Sequence, residues 1–148
     1  MNFSETLRGS GDAAVVPGPT GNPKRQTMLV NTMFKPVSGK QGLGGLADPT
    51  EADMSAWLTS SSTFQGERAG SWLVGKPYAC SYSAWLMPNS RFHDATSMSI
   101  GYFSARSEHP GNVNVLNVDG SVRTVSESIS KDTWRAAATI DQAESTIL

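Results

Sequence analysis

The dipeptide Asp119-Gly120 is the feature that most restricts how this chain can fold. It lies between two runs rich in valine, and an Asp-Gly pair in that setting predicts a two-residue β-hairpin turn in which both residues take positive φ. We therefore expect Asn112–Val118 to pair in antiparallel fashion with Ser121–Ser126. In that register Leu116 lies opposite Arg123.

Alternation along the predicted hairpin places apolar side chains on both of its faces. The two sets are Val113, Val115 and Val122 on one face and Leu116, Val118 and Val125 on the other. A sheet that is apolar on both sides is usually covered on both sides. The pattern therefore predicts that a second layer or a partner covers the outer face.

His109 and Asp119 are polar residues with nine others between them, and they invite interpretation as a catalytic or metal-binding pair. The predicted strand between them is about 20 Å long at ~3.3 Å per residue, whereas catalytic partners that share a hydrogen bond lie about 3 Å apart. We therefore interpret His109-Pro110-Gly111 as the turn that begins the strand, with the imidazole bonded to nearby backbone. No catalytic residue is assigned.

A helix is predicted directly after the hairpin. Ser130 is a suitable N-cap, Asp132 falls in the first turn, and Ile129 and Trp134 have the spacing of a hydrophobic staple. Trp134 is expected to pack this helix onto the sheet.

The segment from Ser104 to Ala136 resembles the C-terminal signature of a large bacterial family of pilin-like and pseudopilin-like proteins of unknown function, sometimes labelled a solute-binding family. The matching residues are His109-Pro110-Gly111, Val113–Leu116, Asp119-Gly120-Ser121-Val122-Arg123 and Trp134-Arg135-Ala136. The resemblance implies a pilin-headgroup-like fold in which His109, Pro110, Gly111, Asp119, Gly120 and Trp134 are structural motif residues.

Weaker family-like features lie upstream, in Phe3–Thr6, Gly70–Trp72 and Met87–Ser90. Members of the family usually begin with a prepilin peptide and a long apolar helix, which this chain lacks. The resemblance therefore implies the C-terminal globular part of such a protein, or a shortened relative. Two departures from the family pattern are Ala137-Ala138, where Leu-Gly is common, and Arg91–Asp94, where a cysteine is frequent.

The composition narrows the classes of protein. A chain of 148 residues suits one domain, here residues 1–148. The net charge is −1 and the 12 basic residues are scattered, which argues against a nucleic-acid partner. Cys80 is the single cysteine, so an intrachain disulfide is excluded and a buried, unreactive side chain is expected.

Apolar runs in the chain fall short of the roughly 20 residues that span a membrane. We therefore expect no membrane span and no export signal in the chain as given. If the protein is exported, its signal lies upstream of Met1 in a longer precursor, and the headgroup is at the cell surface, extracellular or periplasmic.

Upstream of the hairpin the sequence predicts one more helix and several strands. Asp48 as N-cap, Pro49 at the first helical position and Glu51 three residues after the cap indicate a helix over Pro49–Ser61. Short strands are predicted at residues 2–7, 70–74, 77–86 and 97–105. Together these elements predict an α+β fold, an antiparallel sheet of four to six strands with one or two packed helices.

Two other segments could suggest chemistry. The glycine cluster at residues 39–45 lacks the Gly-Lys-Ser/Thr ending of a phosphate-binding loop. His93-Asp94 follows Pro88-Asn89-Ser90, so we interpret it as part of a surface loop, where adjacent side chains point apart. No cofactor is expected, and a calcium site built from loop carboxylates stays open.

Three functions compete. The favoured prediction is a non-catalytic structural headgroup of a pilin-like or pseudopilus surface or secretion assembly, whose partners are protein subunits that include copies of itself. The alternative is an extracellular carbohydrate- or solute-binding module, suggested by Trp57, Trp72, Tyr78, Tyr82 and Trp85. An enzyme is not expected, because two histidines without a recognised catalytic motif offer little chemistry.

Overall fold

The computed structural model describes residues 3–4, 6–7, 9, 20–30, 48–69, 82–97, 100–117 and 119–138. These ranges contain seven strands and two helices, which confirms the predicted α+β class. In chain order the elements are β1 (Phe3–Ser4), β2 (Thr27–Leu29), α1 (Glu51–Ser60), β3 (Thr63–Gln65), β4 (Asp94–Ser97), β5 (Ile100–Tyr102), β6 (Asn112–Leu116), β7 (Val122–Ser126) and α2 (Lys131–Ala136). No helix within these ranges is long and apolar enough to cross a membrane.

The strands form two sheets rather than one. The first has the order β1-β6-β7 and is antiparallel throughout, and the second has the order β3-β2-β4-β5. Within the second sheet β2 and β4 run parallel, so the prediction of an antiparallel sheet is wrong at this pair. Parallel pairing needs a long connection between the two strands, and the chain provides one that includes α1 and β3.

The hairpin of β6 and β7 forms with a different loop and register from those predicted. Asn117 N–H donates to the Ser121 carbonyl at 2.9 Å, and Gly120 N–H donates to the Asn117 carbonyl at 3.0 Å. Within the Asp-Gly pair only Gly120 has positive φ, at 85°. The loop therefore has the pattern of a three-residue turn that ends in a G1 bulge. It sets Leu116, not Asn117, opposite Val122.

This change of one residue reverses which side chains of β7 face the core. Val125 joins Val113 and Val115 in the interior, while Val122 is 67% exposed and Leu116 is 39% exposed. The predicted assignment of Val122 and Val125 to the two faces is therefore wrong, because each lies on the face opposite to the one expected. Near the turn the outer face carries the exposed pair Leu116 and Val122, next to the polar pair Asn114 and Thr124.

Local capping explains where the helices begin. Helix α1 is capped by Thr50, which forms a reciprocal capping box with Asp53, so the predicted cap at Asp48 is wrong by two residues. Helix α2 begins after Ser130, whose hydroxyl accepts from Thr133 N–H at 3.1 Å as predicted for an N-cap.

Two hydrophobic clusters form the core. The cluster next to the four-stranded sheet contains Met28, Val30, Met54, Phe64, Leu86, Ala95 and Tyr102. The cluster under the hairpin and α2 contains Ala105, Val113, Val115, Val125 and Trp134. The chain passes from one cluster to the other along residues 102–107.

Several predicted strands differ from the structure. Residues 82–86 contain no strand, and residues 84–86 form a turn and a bend, so this part of the strand predicted over 77–86 is wrong. The strand predicted over 97–105 is replaced by β4 and β5, which pair as a hairpin. Cys80, the glycine cluster at 39–45 and the strand predicted over 70–74 lie outside the described residues.

Candidate functional site

The most concentrated polar chemistry in the described residues is buried at the start of β4. Asp94 lies there between two arginines, and none of the three is more than 2% exposed. We use the name charge hub for Arg68, Asp94, Ser104 and Arg106. The expectation that His93-Asp94 belongs to a surface loop is therefore wrong.

Each oxygen of the Asp94 carboxylate meets an arginine. Arg68 Nε lies 3.1 Å from Oδ2. Arg106 Nη2 donates to Oδ1 at 2.8 Å, and the backbone N–H of Ser104 donates to the same oxygen at 2.9 Å. A buried carboxylate with this set of partners is compensated by charge and by hydrogen bonds.

The arginines extend the charge hub to the surrounding backbone. Arg106 donates to the carbonyls of Ser90 and Phe92, the latter at 2.6 Å. Arg68 Nη2 donates to the Ser104 carbonyl at 3.0 Å, and its guanidinium lies 5.2 Å from the centre of the Phe103 ring. Carbonyl oxygens and a ring face thus offset the excess of one positive charge in the hub.

A tight turn at Met87–Ser90 adjoins the hub. Ser90 N–H donates to the Met87 carbonyl at 3.1 Å, and Asn89 takes a positive φ of 52°, the pattern of a type II turn with Pro88 at its second position. The Asn89 side chain accepts from Ser107 N–H at 2.8 Å and donates to the carbonyl of Asn112, the first residue of β6, at 3.3 Å. This family-like segment therefore fastens the start of the hairpin to the hub.

His93 is buried beside the hub at 4% exposure. Its ring meets Phe64 edge-on with 5.4 Å between centroids, and its Nε2 atom has no hydrogen-bond partner. Burial lowers the pKa of His93, and the positive charge of Arg106 lowers it further, although Asp94 and a hydrogen bond to the Gly21 backbone act in the opposite direction. The ring is therefore held neutral near pH 7.

The geometry of the hub fits a structural role rather than catalysis. A general acid, a base or a nucleophile must reach its substrate, whereas the Asp94 carboxylate is enclosed by its partners and is only 2% exposed. In the described residues no group of three or more His, Cys, Asp or Glu side chains is arranged to hold a metal ion. The chemistry of the hub is to fix segments of backbone relative to one another.

The motif residues predicted from the sequence lie at the two ends of β6. His109 and Pro110 are exposed, and Gly111 takes a positive φ of 71° at the turn before the strand. At the other end, Asp119 accepts from the backbone N–H of Ser121 at 2.9 Å and from its hydroxyl at 2.7 Å, and these bonds lower the pKa of Asp119. The five residues of β6 separate the two ends.

Trp134 lies apart from those turns, in the interior. It is 2% exposed, its Nε1–H donates to the Leu86 carbonyl at 3.0 Å, and its ring stacks on Tyr82 with centroids 5.8 Å apart. Helix α2 is also held from outside, because Arg135 and Lys131 both pair with the Asp48 carboxylate. These pairs, Arg135 first, lower the pKa of Asp48.

The aromatic residues that suggested a sugar-binding surface are engaged with interior or cationic groups. Trp57 stacks on buried Tyr102 at 5.7 Å, and Trp85 meets the same Tyr102 edge-on while the Arg135 guanidinium lies over the Trp85 ring at 4.8 Å. Trp72 and Tyr78 lie outside the described residues. A shared stacking surface is therefore not formed by the described members of the series.

Sequence reasoning did not find the two arginines of the hub. Arg68 precedes Asp94 by 26 positions and Arg106 follows it by 12, and neither belongs to a recognised motif. The one available signal was that Asp94 and Arg106 adjoin small residues of the kind that pack inside, Ala95-Thr96 and Ser104-Ala105.

Comparison with known proteins identifies the family. The chain matches the family described as "Protein of unknown function (DUF1559)", also labelled SBP_bac_10, over residues 8–132. The match spans most of the chain, so the protein belongs to this family, and the resemblance seen in its C-terminal motif is confirmed. No curated protein and no solved structure matches the chain.

Proposed function

We propose that this chain is the non-catalytic globular headgroup of a pilin-like or pseudopilus assembly, located at the cell surface or in the extracellular or periplasmic space. Its work is to contact other protein subunits. Membership of a family of unknown function is compatible with this role without specifying it. The observation that carries the proposal is the exposed pair Leu116 and Val122 on the outer face of a rigidly held hairpin.

The exposed pair is unusual within the described residues, because these are the two large hydrophobic side chains with high exposure there. They are cross-strand partners at the turn end of the hairpin, and their neighbours on the same face, Asn114 and Thr124, bond to each other at 2.9 Å. Exposed apolar side chains next to polar ones are a feature of protein contact sites.

The interior supports the same role. Buried polar groups fix the base of the hairpin, because Asn89 bonds to Asn112 and Arg106 holds the carbonyls of Ser90 and Phe92. A rigid surface loses little conformational entropy when it docks. The buried polar residues therefore fix the shape of the hairpin, and its exposed outer face makes the contact with a partner.

The test is site-specific photo-crosslinking in the cells that produce the protein. A photoreactive amino acid at Val122 is expected to capture protein subunits, identified by mass spectrometry as envelope, filament or secretion components or as copies of this chain. Ser55 is the matched control position, because it is also exposed but lies on α1, away from the hairpin.

Capture at Val122 and not at Ser55 supports the headgroup role. Equal capture at both positions, or none at Val122, contradicts it. A panel of glycans tested by calorimetry addresses the binding-module alternative, and heat on mixing with any of them counts against a purely structural headgroup.

A further inference from the structure

Strand β7 has one edge that is not paired by any described strand, because the order of its sheet is β1-β6-β7. The bonds Asn117 N–H to Ser121 and Glu127 N–H to Gly111, the latter at 2.8 Å, fix which backbone groups face β6. Ser121, Arg123, Val125 and Glu127 direct their N–H and C=O toward β6. Val122, Thr124 and Ser126 direct theirs away from it.

This edge is open to solvent, and Arg123 is the one charged side chain on the strand. Val122, Thr124 and Ser126 are all exposed, and β7 contains no proline, lysine or bulge. An extended, unpaired edge is a template for another strand. The chemistry that recognises it is the backbone of a second strand.

We propose that β7 pairs in antiparallel fashion with β7 of a second copy of this chain, about a two-fold axis at Val125. Thr124 then exchanges backbone hydrogen bonds with Ser126 of the other copy, and Arg123 faces Glu127 of the other copy. This inference rests on the proposed function and names a partner for it. The two three-stranded sheets become one sheet that continues across the axis.

The charges of Arg123 and Glu127 favour a second copy of this chain as the partner and favour the register with the axis at Val125. The strand carries one cation, Arg123, and one anion follows it, Glu127, and both are exposed. In the proposed register each arginine lies directly across from a glutamate, twice by symmetry. A shift to an axis at Arg123 would instead set the two arginines opposite each other, which is destabilising.

The backbone of Ser126 can accept the added bond. Its carbonyl already accepts from Ile129 N–H at a long 3.2 Å, and a carbonyl has a second lone pair. The contact is small, so we expect a weak dimer in solution that is strengthened when an assembly holds many copies side by side.

The experiment is a charge swap read by sedimentation equilibrium. Arg123→Glu and Glu127→Arg each place like charges across the axis, and each is expected to weaken the dimer by roughly tenfold. The double variant Arg123→Glu/Glu127→Arg restores opposite charges and is expected to recover dimerisation to within about threefold of the wild type.

A second pair of variants tests the backbone contact. Thr124→Pro removes an N–H that points away from β6, so the fold is kept, as circular dichroism should confirm, and the dimer is lost. Thr124→Val keeps that N–H and is expected to dimerise like the wild type.

A double variant as weak as the single variants, a dimer that tolerates Thr124→Pro, or a wild-type chain that stays monomeric at millimolar concentration overturns the pairing. These results are independent of the crosslinking experiment. Capture of a different subunit at Val122 together with an indifferent charge swap would reject self-pairing and leave the headgroup role standing. A rescued charge swap without capture in cells would support self-pairing and reject the headgroup role.

Discussion

Asp94 and His93 are neighbours in the chain, and the fold gives them different surroundings. Asp94 contacts Arg68 and Arg106, while the pKa of His93 is lowered by burial and by the nearby Arg106 cation. From the sequence this pair looks like a polar loop, because its partners come from distant positions. A buried charge is stable only when partners from elsewhere in the fold arrive beside it.

His93 makes stability depend on pH. Its pKa is lowered in the folded chain, so the unfolded chain takes up the proton first as the pH falls. Stability is therefore complete above about pH 6.5, the unperturbed value for histidine, and falls below it by at most about 1.4 kcal/mol per pH unit for one proton. Urea denaturation between pH 7.5 and pH 5 measures this slope.

His109 provides the matched control, because it is exposed in the turn before β6. His93→Gln is expected to flatten the stability profile over this range, while His109→Gln is expected to keep the wild-type slope. A slope that survives His93→Gln would assign the pH dependence to other groups.

At the scale of elements, the hairpin shows how a short signal can be correct in kind and wrong in detail. Asp119-Gly120 does form a hairpin turn, but the loop contains a bulge at Gly120 and the register moves by one residue. Because side chains alternate along a strand, that single step moves Val125 into the core and Val122 to the surface. Turn type is decided by how the strands twist and pack, which a dipeptide does not specify.

Gly120→Ala tests the bulge. The φ of Gly120 is 85°, and an added Cβ would meet no heavy atom within 4 Å, so its cost is confined to the backbone conformation. We expect a loss of about 1 kcal/mol in the free energy of unfolding, measured by urea denaturation.

Gly120→Asn is the control for that measurement, because asparagine adopts this conformation more readily than alanine. It should cost less than Gly120→Ala. Equal and negligible losses for both variants would indicate that Gly120 has no need of positive φ.

At the scale of the whole molecule, the charge hub lies where the chain passes from one sheet to the other. Asp94 begins β4 in the four-stranded sheet, and Arg106 lies on the segment that leads into β6 of the three-stranded sheet. Their bond therefore joins the two sheets and the two hydrophobic clusters. We infer that the hub makes the two halves unfold together.

Asp94→Asn is expected to destabilise both halves. The change removes the single carboxylate between two arginines that are 1% and 0% exposed, and an uncompensated buried charge costs about 3–5 kcal/mol. Chemical denaturation gives the loss, and hydrogen exchange should show faster exchange of β4 and β6 together.

The control is Glu51→Gln, which breaks the exposed pair between Glu51 and Arg91 at 2.7 Å. Exposed pairs contribute less than about 1 kcal/mol, so this variant should match the wild type closely. A loss in Asp94→Asn confined to β4 would mean that the hub does not couple the sheets.

The sequence by itself determined the elements whose causes are local. The N-cap of α2, the hairpin and the family motif around Trp134 depend on residues within a few positions of one another. The parallel pairing of β2 with β4, the burial of Asp94 between Arg68 and Arg106, and the exposure of Val122 were decided only by the tertiary structure. Each of these depends on segments that are far apart in the chain and meet in space. Ion pairing and strand pairing stabilise these segments only after the fold has brought them into contact.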